Sequence, residues 1–130
     1  MEKQKILIAD DSEMNRALLV DILEDQYDIV EADNGAAAID LLTQCGGDFS
    51  LLLLDIMMPE MDGFEVLAYI NRYHLNDTLA VIMISADDSP ANIKRAYDLG
   101  AFDYISRPFD AAIVRRRISN TMLLYARQRH

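Results

Sequence analysis

A chain of 130 residues has the length of one domain with a single hydrophobic core. Although 52% of the residues are hydrophobic, no apolar stretch is long enough to span a membrane, and no basic, apolar-cored leader precedes the first apolar run. The net charge of −10 argues against nucleic-acid binding by this domain. The single cysteine, Cys45, excludes an internal disulfide, so we expect a cytoplasmic protein with this thiol packed at a helix end.

Short apolar runs alternate with helical patterns along the chain, which is typical of right-handed βαβ units around a parallel sheet. Strands are predicted near residues 5–10, 27–32, 49–55, 79–85 and 103–106. The third and fourth runs are almost wholly apolar, as expected for central strands that helices cover on both faces. The sequence therefore predicts a single α/β domain with five strands and five helices in alternation.

Capping residues and helix breakers mark the limits of the five helices. Starts are predicted at Ser12, Asn34, Asp62-Gly63, Pro90 and Asp110, and ends at Cys45, before Gly46-Gly47, and at Gly100. Apolar residues at helical spacing indicate which side of a helix faces the core. The core-facing residues are predicted to be Leu18, Ile22 and Leu23 in the first helix and Val66, Leu67 and Ile70 in the third.

The last helix is longer than such a domain needs. Val114, Ile118, Met122 and Tyr125 form a core-facing stripe that continues to its end. Residues 107–130 carry one acid and six bases, whereas residues 1–106 carry 21 acids and six bases. One interpretation is a long packed helix with a solvated basic face. The other is a connecting or dimerising helix that leads to a second module.

Polar residues stand where four of the predicted strands end. Asp10 and Asp11 follow the first strand, Asp55 the third, Ser85 the fourth and Arg107 the fifth. In an open α/β sheet, ligands bind outside the carboxyl ends of the strands. The sequence therefore predicts a ligand site at this edge of the sheet, with Asp62 and Asp87 in the loops just beyond it.

Three carboxylates in one pocket repel each other unless a cation lies between them. Oxygen ligands of this kind suit Mg²⁺, and the chain has no Cys/His cluster for zinc. His74 and His130 are expected to be solvent-exposed and far from these strand ends. The alternative for Asp10 and Asp11 alone is a turn with a helix cap, but Asp55 at a second strand end favours the metal site.

Several motifs in order resemble the receiver domains of two-component response regulators, over residues 4–126. These motifs are Ile8-Ala-Asp-Asp11, Leu54-Asp-Ile-Met-Met-Pro59, Met61-Asp-Gly63, Ser85-Ala86, Leu99-Gly-Ala101 and Tyr104-Ile-Ser-Arg-Pro-Phe109. The resemblance implies a doubly wound (βα)5 fold with a five-stranded parallel sheet in the flavodoxin-like order 2-1-3-4-5. It also implies a receiver domain over residues 1–126. Residues 115–130 would then extend the last helix as a linker to an output domain, for example a diguanylate cyclase.

By the same resemblance, Asp55 is the phosphoacceptor, and a histidine kinase or phosphotransfer protein is the phosphodonor. Asp11, Asp55 and the backbone carbonyl of Met57 would bind Mg²⁺, with Asp10 acting partly through water. Ser85 would offer its hydroxyl to a phosphoryl oxygen, and the small Ala86 would leave the pocket open. Pro59 and Gly63 would shape the loop beyond Asp55, where a larger residue than glycine would obstruct the turn.

Switching in receivers involves the residue at Tyr104, which is expected to turn inward behind Ser85 when Asp55 is phosphorylated. The surface formed by helix 4, strand 5 and helix 5 would change, and a homodimer could form through it. The alternative for Tyr104 is a surface aromatic at a strand edge. Hydrolysis of the acyl phosphate would be tuned at Met57 and Asp87. Because Met57 cannot orient a water, slow self-dephosphorylation is expected, although Asp87 could partly compensate.

One residue departs from the receiver pattern, which has lysine where this chain has Arg107. A planar, forked guanidinium substitutes poorly for a compact ammonium at a tight site. Arg107 could still bind the phosphoryl group, even with two hydrogen bonds, or reach Asp55 or Asp10 at a different angle. The alternative is a plain salt bridge to Asp55 in a site that no longer takes phosphate.

The preferred function is therefore a phosphorylation-dependent signalling switch rather than an enzyme, with no membrane association and no direct nucleic-acid binding. A second hypothesis is a pseudo-receiver, which is a protein-interaction module that does not cycle phosphate. A third is a stand-alone Mg²⁺ phosphatase with an aspartyl nucleophile. The residue Met57, where such an enzyme would have a second acid, and the short chain without room for a substrate cap argue against the third.

Overall fold

The structure, a computed structural model, describes residues 3–87 and 89–128. Five parallel strands form one sheet in the order β2-β1-β3-β4-β5, as the resemblance implied. The strands are β1 (Lys5–Ala9), β2 (Asp28–Ala32), β3 (Phe49–Asp55), β4 (Ala80–Ser85) and β5 (Asp103–Ser106). Each predicted strand is present, and its limits agree with the prediction to within one residue.

Five α-helices cover the two faces of this sheet. They are α1 (Glu13–Leu23), α2 (Gly35–Cys45), α3 (Gly63–Arg72), α4 (Pro90–Asp98) and α5 (Ala111–Gln128). Helices α1 and α5 bury their apolar residues against one face of the sheet, and α2, α3 and α4 bury theirs against the other. The central strands β1 and β3 are therefore buried on both sides, which explains their nearly continuous apolar sequence.

The predicted capping residues begin the helices. The side chain of Ser12 accepts a hydrogen bond from the backbone N–H of Asn15, and Asp62 forms a capping box with Glu65. The side chains of Asn34 and Asp110 accept backbone hydrogen bonds at the starts of α2 and α5. Because Ser12 directly follows Asp11, its cap also fixes the direction in which the chain leaves β1.

Two predictions about side-chain packing are wrong. In α1 the core-facing residues are Leu19 and Leu23, while Leu18 is 50% exposed and Ile22 is partly buried. Leu23 is buried as predicted and Ile22 packs against the same core, so the error is confined to Leu18, whose place is taken by Leu19, one turn before Leu23. Cys45 does lie at the end of α2, but it is exposed rather than packed.

The stripe on α5 packs against the sheet as predicted. Val114 and Ile118 are fully buried, Met122 is buried, and Tyr125 packs edge-to-face on Phe102 with ring centroids 5.9 Å apart. The Tyr125 hydroxyl also donates a hydrogen bond to the backbone carbonyl of residue 76. These contacts favour the packed-helix interpretation as far as residue 125. A role as a linker to an output domain stays a prediction, and among the described residues no helix is long and apolar enough to cross a membrane.

Candidate functional site

The carboxyl ends of β1 and β3 bring three carboxylates together. Oxygen atoms of Asp10, Asp11 and Asp55 all lie within 4.8 Å of one another. Asp10 is completely buried and Asp55 is 2% exposed, whereas Asp11 faces solvent. These acids follow adjacent strands of a parallel sheet, so their proximity is a direct result of strand order. Two buried carboxylates side by side need compensating positive charge.

Backbone hydrogen bonds fix the orientation of the two buried carboxylates. Oδ1 of Asp10 accepts from the backbone N–H of Ser12 at 2.9 Å, and Oδ1 of Asp55 accepts from the backbone N–H of Met57 at 3.3 Å. The residue after Ser12 begins α1, so the same turn both caps the helix and holds Asp10. Each acid is therefore positioned by the chain segment that immediately follows it.

Arg107 supplies the positive charge. Its Nη2 lies 3.0 Å from Oδ2 of Asp10 and 2.9 Å from Oδ1 of Asp55. Its backbone N–H donates to the carbonyl of Ser85 at 2.9 Å, which ties the end of β5 to the end of β4. The salt bridge to Asp55 that the sequence suggested is thus present, and it is shared with Asp10. Two buried acids and one cation still leave the cluster one positive charge short.

Gly63 allows the loop after β3 to fold back on the site. Its backbone N–H donates to the carbonyl of Ile56 at 2.8 Å. A Cβ atom at this position would lie 2.2 Å from the backbone oxygen of Asp55 and 2.8 Å from the Cα of Ile56. The prediction that a larger residue would obstruct this turn is therefore confirmed, and the obstacle is the backbone of Asp55 itself.

Burial and the neighbouring charge of Asp10 raise the pKa of the Asp55 carboxyl from 3.8 to about 7. The charge of Arg107 and the hydrogen bonds from Met57 and Arg107 act in the opposite direction but do not cancel this effect. At neutral pH the Asp55 carboxyl is therefore only partly ionised unless additional positive charge reaches the cluster. A divalent cation would supply that charge.

This pKa predicts how stability depends on pH without metal. Between pH 4 and pH 7 the native protein keeps a proton on Asp55 that the unfolded chain has released. Because the native state binds more protons, this group lowers the free energy of unfolding as the pH rises through that range. The Asp55→Asn variant lacks this contribution, so in metal-free buffer we expect its melting temperature to rise relative to wild type from pH 4 to pH 7 and then to level off.

Parallel thermal unfolding of wild type and Asp55→Asn at several pH values in the presence of a chelator checks this expectation. Taking the difference between the two proteins removes the contributions of titrating groups that lie far from Asp55. A difference that stays constant from pH 4 to pH 8, or one that shrinks as the pH rises, would show that the carboxyl of Asp55 titrates in its ordinary range.

A second group of predicted residues lies at the end of β4. Ser85 is fully buried, and its Oγ accepts from the backbone N–H of Asp87 at 3.0 Å. The Tyr104 hydroxyl donates to the backbone carbonyl of Asp87, and Tyr104 is only 6% exposed. The interpretation of Tyr104 as a surface aromatic is therefore wrong, since its ring points into the core beside α4. Ala86 is exposed in the loop between Ser85 and Asp87.

The side chain of Asp87 is committed to the start of α4. Its Oδ1 accepts from the backbone N–H of Ser89 at 3.0 Å, and its Oδ2 accepts from the side-chain amide of Asn92 at 2.9 Å. Met57, on the other side of the site, is 68% exposed and carries no group that could orient water. Of the two residues expected to tune hydrolysis, one is apolar and the other is held in helix capping contacts.

Two contributors to this region were missed by the sequence analysis. Arg16 donates from Nη1 to the backbone carbonyl of Asp10 at 2.7 Å and pairs with Glu31 through Nε at 3.1 Å. Asn92 connects α4 to Asp87. The only available signal for Arg16 was a basic residue four positions after Ser12, and the only one for Asn92 was an amide three positions after Ser89. Both histidines were expected to lie far from these strand ends. His74 lies at the opposite end of the sheet, and His130 is outside the described residues.

The donor set fits Mg²⁺. The cluster offers only oxygen ligands, at least two of them carboxylates that point to a common space, and hard oxygen ligands of this kind suit this cation. Burial and the neighbouring charge of Asp10 raise the pKa of Asp55, and a cation bound beside this carboxyl would lower that pKa again. Asp11, which is exposed, leaves the site open on the solvent side.

Comparison with known proteins agrees with this arrangement. Residues 6–119 match the family model of the response regulator receiver domain. The chemotaxis protein CheY of Halobacterium salinarum is 35% identical over 123 residues, which cover 94% of this chain and 98% of that protein. A probable cyclic di-GMP phosphodiesterase of Vibrio cholerae is 35% identical over 113 residues, but the chain spans only 25% of its length.

Solved structures show the same fold. A CheX-CheY-BeF3-Mg²⁺ complex from Borrelia burgdorferi contains a chain that is 30% identical, with a TM-score of 0.84 and coverage of 90% of this chain and 87% of that one. The receiver domain of a LuxO repressor from Vibrio parahaemolyticus, at 24% identity, superposes with a TM-score of 0.89 over 97% of this chain. The chain belongs to the receiver domain family of two-component response regulators.

Proposed function

We propose that this receiver accepts a phosphoryl group on Asp55 from a histidine kinase or a phosphotransfer protein. The observation that carries this proposal is the arrangement of the Asp55 carboxylate. Its Oδ1 is held by Arg107 and by the backbone N–H of Met57, whereas Oδ2 has no hydrogen-bond partner within the described part of the chain. One oxygen is thus anchored, and the other is available as a nucleophile in a cluster with Asp10 and Asp11.

In the transfer, Oδ2 of Asp55 attacks the phosphorus of a phosphohistidine, and the phosphorus–nitrogen bond breaks with its electron pair passing to the imidazole nitrogen. Asp10, Asp11, Asp55 and the backbone carbonyl of Met57 would hold Mg²⁺, which neutralises phosphoryl oxygens and favours in-line attack. Arg107 keeps the attacking carboxylate in place. The chemistry of the site is therefore positioning and charge neutralisation, and the chain itself needs no further catalytic group.

The hydrogen bonds around Ser85 support a route from this site to the surface. A phosphoryl oxygen on Asp55 would attract the Ser85 hydroxyl, whose Oγ now accepts from the backbone N–H of Asp87. Asp87 also accepts from the Tyr104 hydroxyl through its carbonyl and from Asn92 through its carboxylate. Movement of Ser85 would therefore be transmitted to β5 and to the first turn of α4. This is a population shift driven by different contacts in the phosphorylated state.

Slow loss of the phosphoryl group belongs to the same proposal. A water that attacks the acyl phosphate must be oriented by a nearby polar side chain. Met57 has none, and the carboxylate of Asp87 is occupied by Ser89 and Asn92. Neither residue is therefore placed to assist hydrolysis, so the phosphorylated state is expected to be long-lived and to depend on a partner for rapid removal.

The surface that would carry the signal comprises α4, β5 and α5. It exposes Ile113 and the ion pair between Arg117 and Asp103, and a homodimer through this surface is part of the proposal.

The chain spans about half the length of the transcriptional regulators YkoG and SrrA that it resembles, at 50% and 51%. An output activity, such as that of a diguanylate cyclase, and a location in the cytoplasm belong to the same proposal.

A second candidate function is a pseudo-receiver that binds partners without taking phosphate. The observation that favours it is the double salt bridge of Arg107, which already gives both buried acids a partner. The two functions differ in their response to a phosphoryl mimic. A receiver that cycles phosphate gains new contacts at Asp55, whereas a pseudo-receiver keeps its present ones.

Titration of isotope-labelled protein with beryllofluoride and Mg²⁺, followed by NMR, separates the two. We expect saturable shifts at Asp55 and Ser85 that extend to Asp87, Asn92 and Tyr104. The Asp55→Asn variant serves as the control that has the same fold without the acceptor oxygen. Absence of any shift that depends on Asp55 would contradict the receiver function and favour the pseudo-receiver, while shifts confined to Asp55 and Ser85 would contradict the proposed route to α4.

A further inference from the structure

The guanidinium of Arg107 has a donor that the present contacts do not use. Its Nη2 is shared between Asp10 and Asp55, and the Nε atom is buried without a hydrogen-bond partner among the described residues. A buried N–H without an acceptor is unfavourable, and native structures rarely leave one unsatisfied. An acceptor that reaches this N–H would therefore be bound with little competition from the protein.

The covalent geometry of arginine tells where this donor points. The guanidinium is planar, and Nε–H and one N–H of Nη2 lie on the same edge and point in parallel directions. The contacts of Nη2 with Asp10 and Asp55 at 3.0 and 2.9 Å place this edge of the guanidinium beside the acidic cluster. Together the two N–H groups form a fork whose spacing matches two oxygens of a phosphate or carboxylate group.

We propose that the Nε and Nη2 edge of Arg107 binds the phosphoryl group on Asp55 with two parallel hydrogen bonds. The inference rests on the proposed phosphorylation of Asp55 and assigns Arg107 a specific part in it. Phosphorylation moves negative charge outward from Oδ1 of Asp55 to the phosphoryl oxygens, so Nη2 gains a stronger acceptor and Nε gains its first one. Arginine at this position then adds a contact rather than disabling the site.

The surroundings of Arg107 favour such a fixed fork. Its backbone N–H is held by the carbonyl of Ser85, and its guanidinium carbon lies 6.0 Å from the centre of the Phe109 ring. The side chain is 21% exposed, so the charge is largely shielded from water and its hydrogen bonds are strong. A lysine at this position could place only one nitrogen among the same acceptors, because an ammonium is a single point of charge.

The Arg107→Lys variant tests this inference with beryllofluoride and Mg²⁺ as the probe. Wild type is expected to bind beryllofluoride roughly tenfold more tightly than Arg107→Lys, since one charge-assisted hydrogen bond is lost. The matched control is Arg16→Lys, which alters another largely buried arginine beside Asp10 that has its own partners. Equal binding by wild type and Arg107→Lys would overturn the inference, as would an equal loss in Arg16→Lys.

A measurement on wild type alone avoids any folding defect of the variant. The Nε–H proton of Arg107 can be observed by NMR and assigned by its disappearance in Arg107→Lys. With beryllofluoride and Mg²⁺ bound, we expect this proton to shift downfield and its exchange with water to slow. An unchanged signal at saturation would overturn the fork while leaving phosphorylation of Asp55 intact. If wild type binds no beryllofluoride at all, the proposed function and the inference fail together.

Discussion

The Asp55→Asn variant is expected to lose phosphorylation completely. Incubation of wild type with a small phosphodonor and Mg²⁺ should increase its intact mass by one phosphoryl group, and the variant should show no increase. The reason is specific to Oδ2 of Asp55, because this oxygen is the nucleophile and has no protein partner among the described residues. An amide of the same shape occupies the same space but cannot attack phosphorus.

The control for this experiment is Asp98→Asn, which removes one carboxylate from the surface. Asp98 lies on α4 and pairs with Lys94 at 2.7 Å, in an exposed contact that contributes little to stability. This variant is expected to be phosphorylated like wild type. Phosphorylation of Asp55→Asn to the wild-type extent would instead place the acceptor elsewhere in the acidic cluster or on its surface.

The Gly63→Ala variant is expected to lose about 3 kcal/mol of unfolding free energy, at the upper end of what overpacking costs. The new methyl group would lie 2.2 Å from the Asp55 carbonyl oxygen and 2.8 Å from the Ile56 Cα. Both are backbone atoms of the central strand β3 and the turn that follows it, so neither can move aside as a flexible side chain would. Relief requires a shift of α3 away from the site, and Asp55 would then lose its present position.

Chemical denaturation of the variant measures the loss, and Gly47→Ala is the matched control. A Cβ atom at Gly47 would meet no atom within 4 Å, so its expected effect is less than about 1 kcal/mol in either direction. Equal stability of Gly63→Ala and Gly47→Ala would show that the loop after β3 adapts easily, and would remove the structural reason for glycine beside the phosphoacceptor.

Much of this arrangement could be predicted from the sequence because it depends on strand order. Residues that end neighbouring parallel strands must meet at one edge, so Asp10, Asp55 and Ser85 could be placed together from their positions alone. Helix starts were predictable for a similar reason, since Ser12 and Asp62 cap with short, local hydrogen bonds. Local chemistry and topology therefore account for the position of the site.

Features that depend on helix rotation or on long side chains could not be predicted in this way. Leu18 and Leu19 are both apolar, and only packing against the sheet selects the second. Arg16 and Asn92 reach their partners through flexible side chains whose direction the sequence does not encode. The departure at Arg107 was visible, but its simultaneous contact with two acids required coordinates.

The central claim is that Asp55 takes the phosphoryl group, and mapping the acyl phosphate tests it most directly. Wild-type protein is treated with a phosphodonor and Mg²⁺, the acyl phosphate is trapped by reduction with borohydride, and the modified residue is identified by peptide mass analysis. We predict modification at Asp55 alone. Modification at Asp10, at Asp11 or at a surface carboxylate, or no modification under conditions that keep the protein folded, would contradict this account.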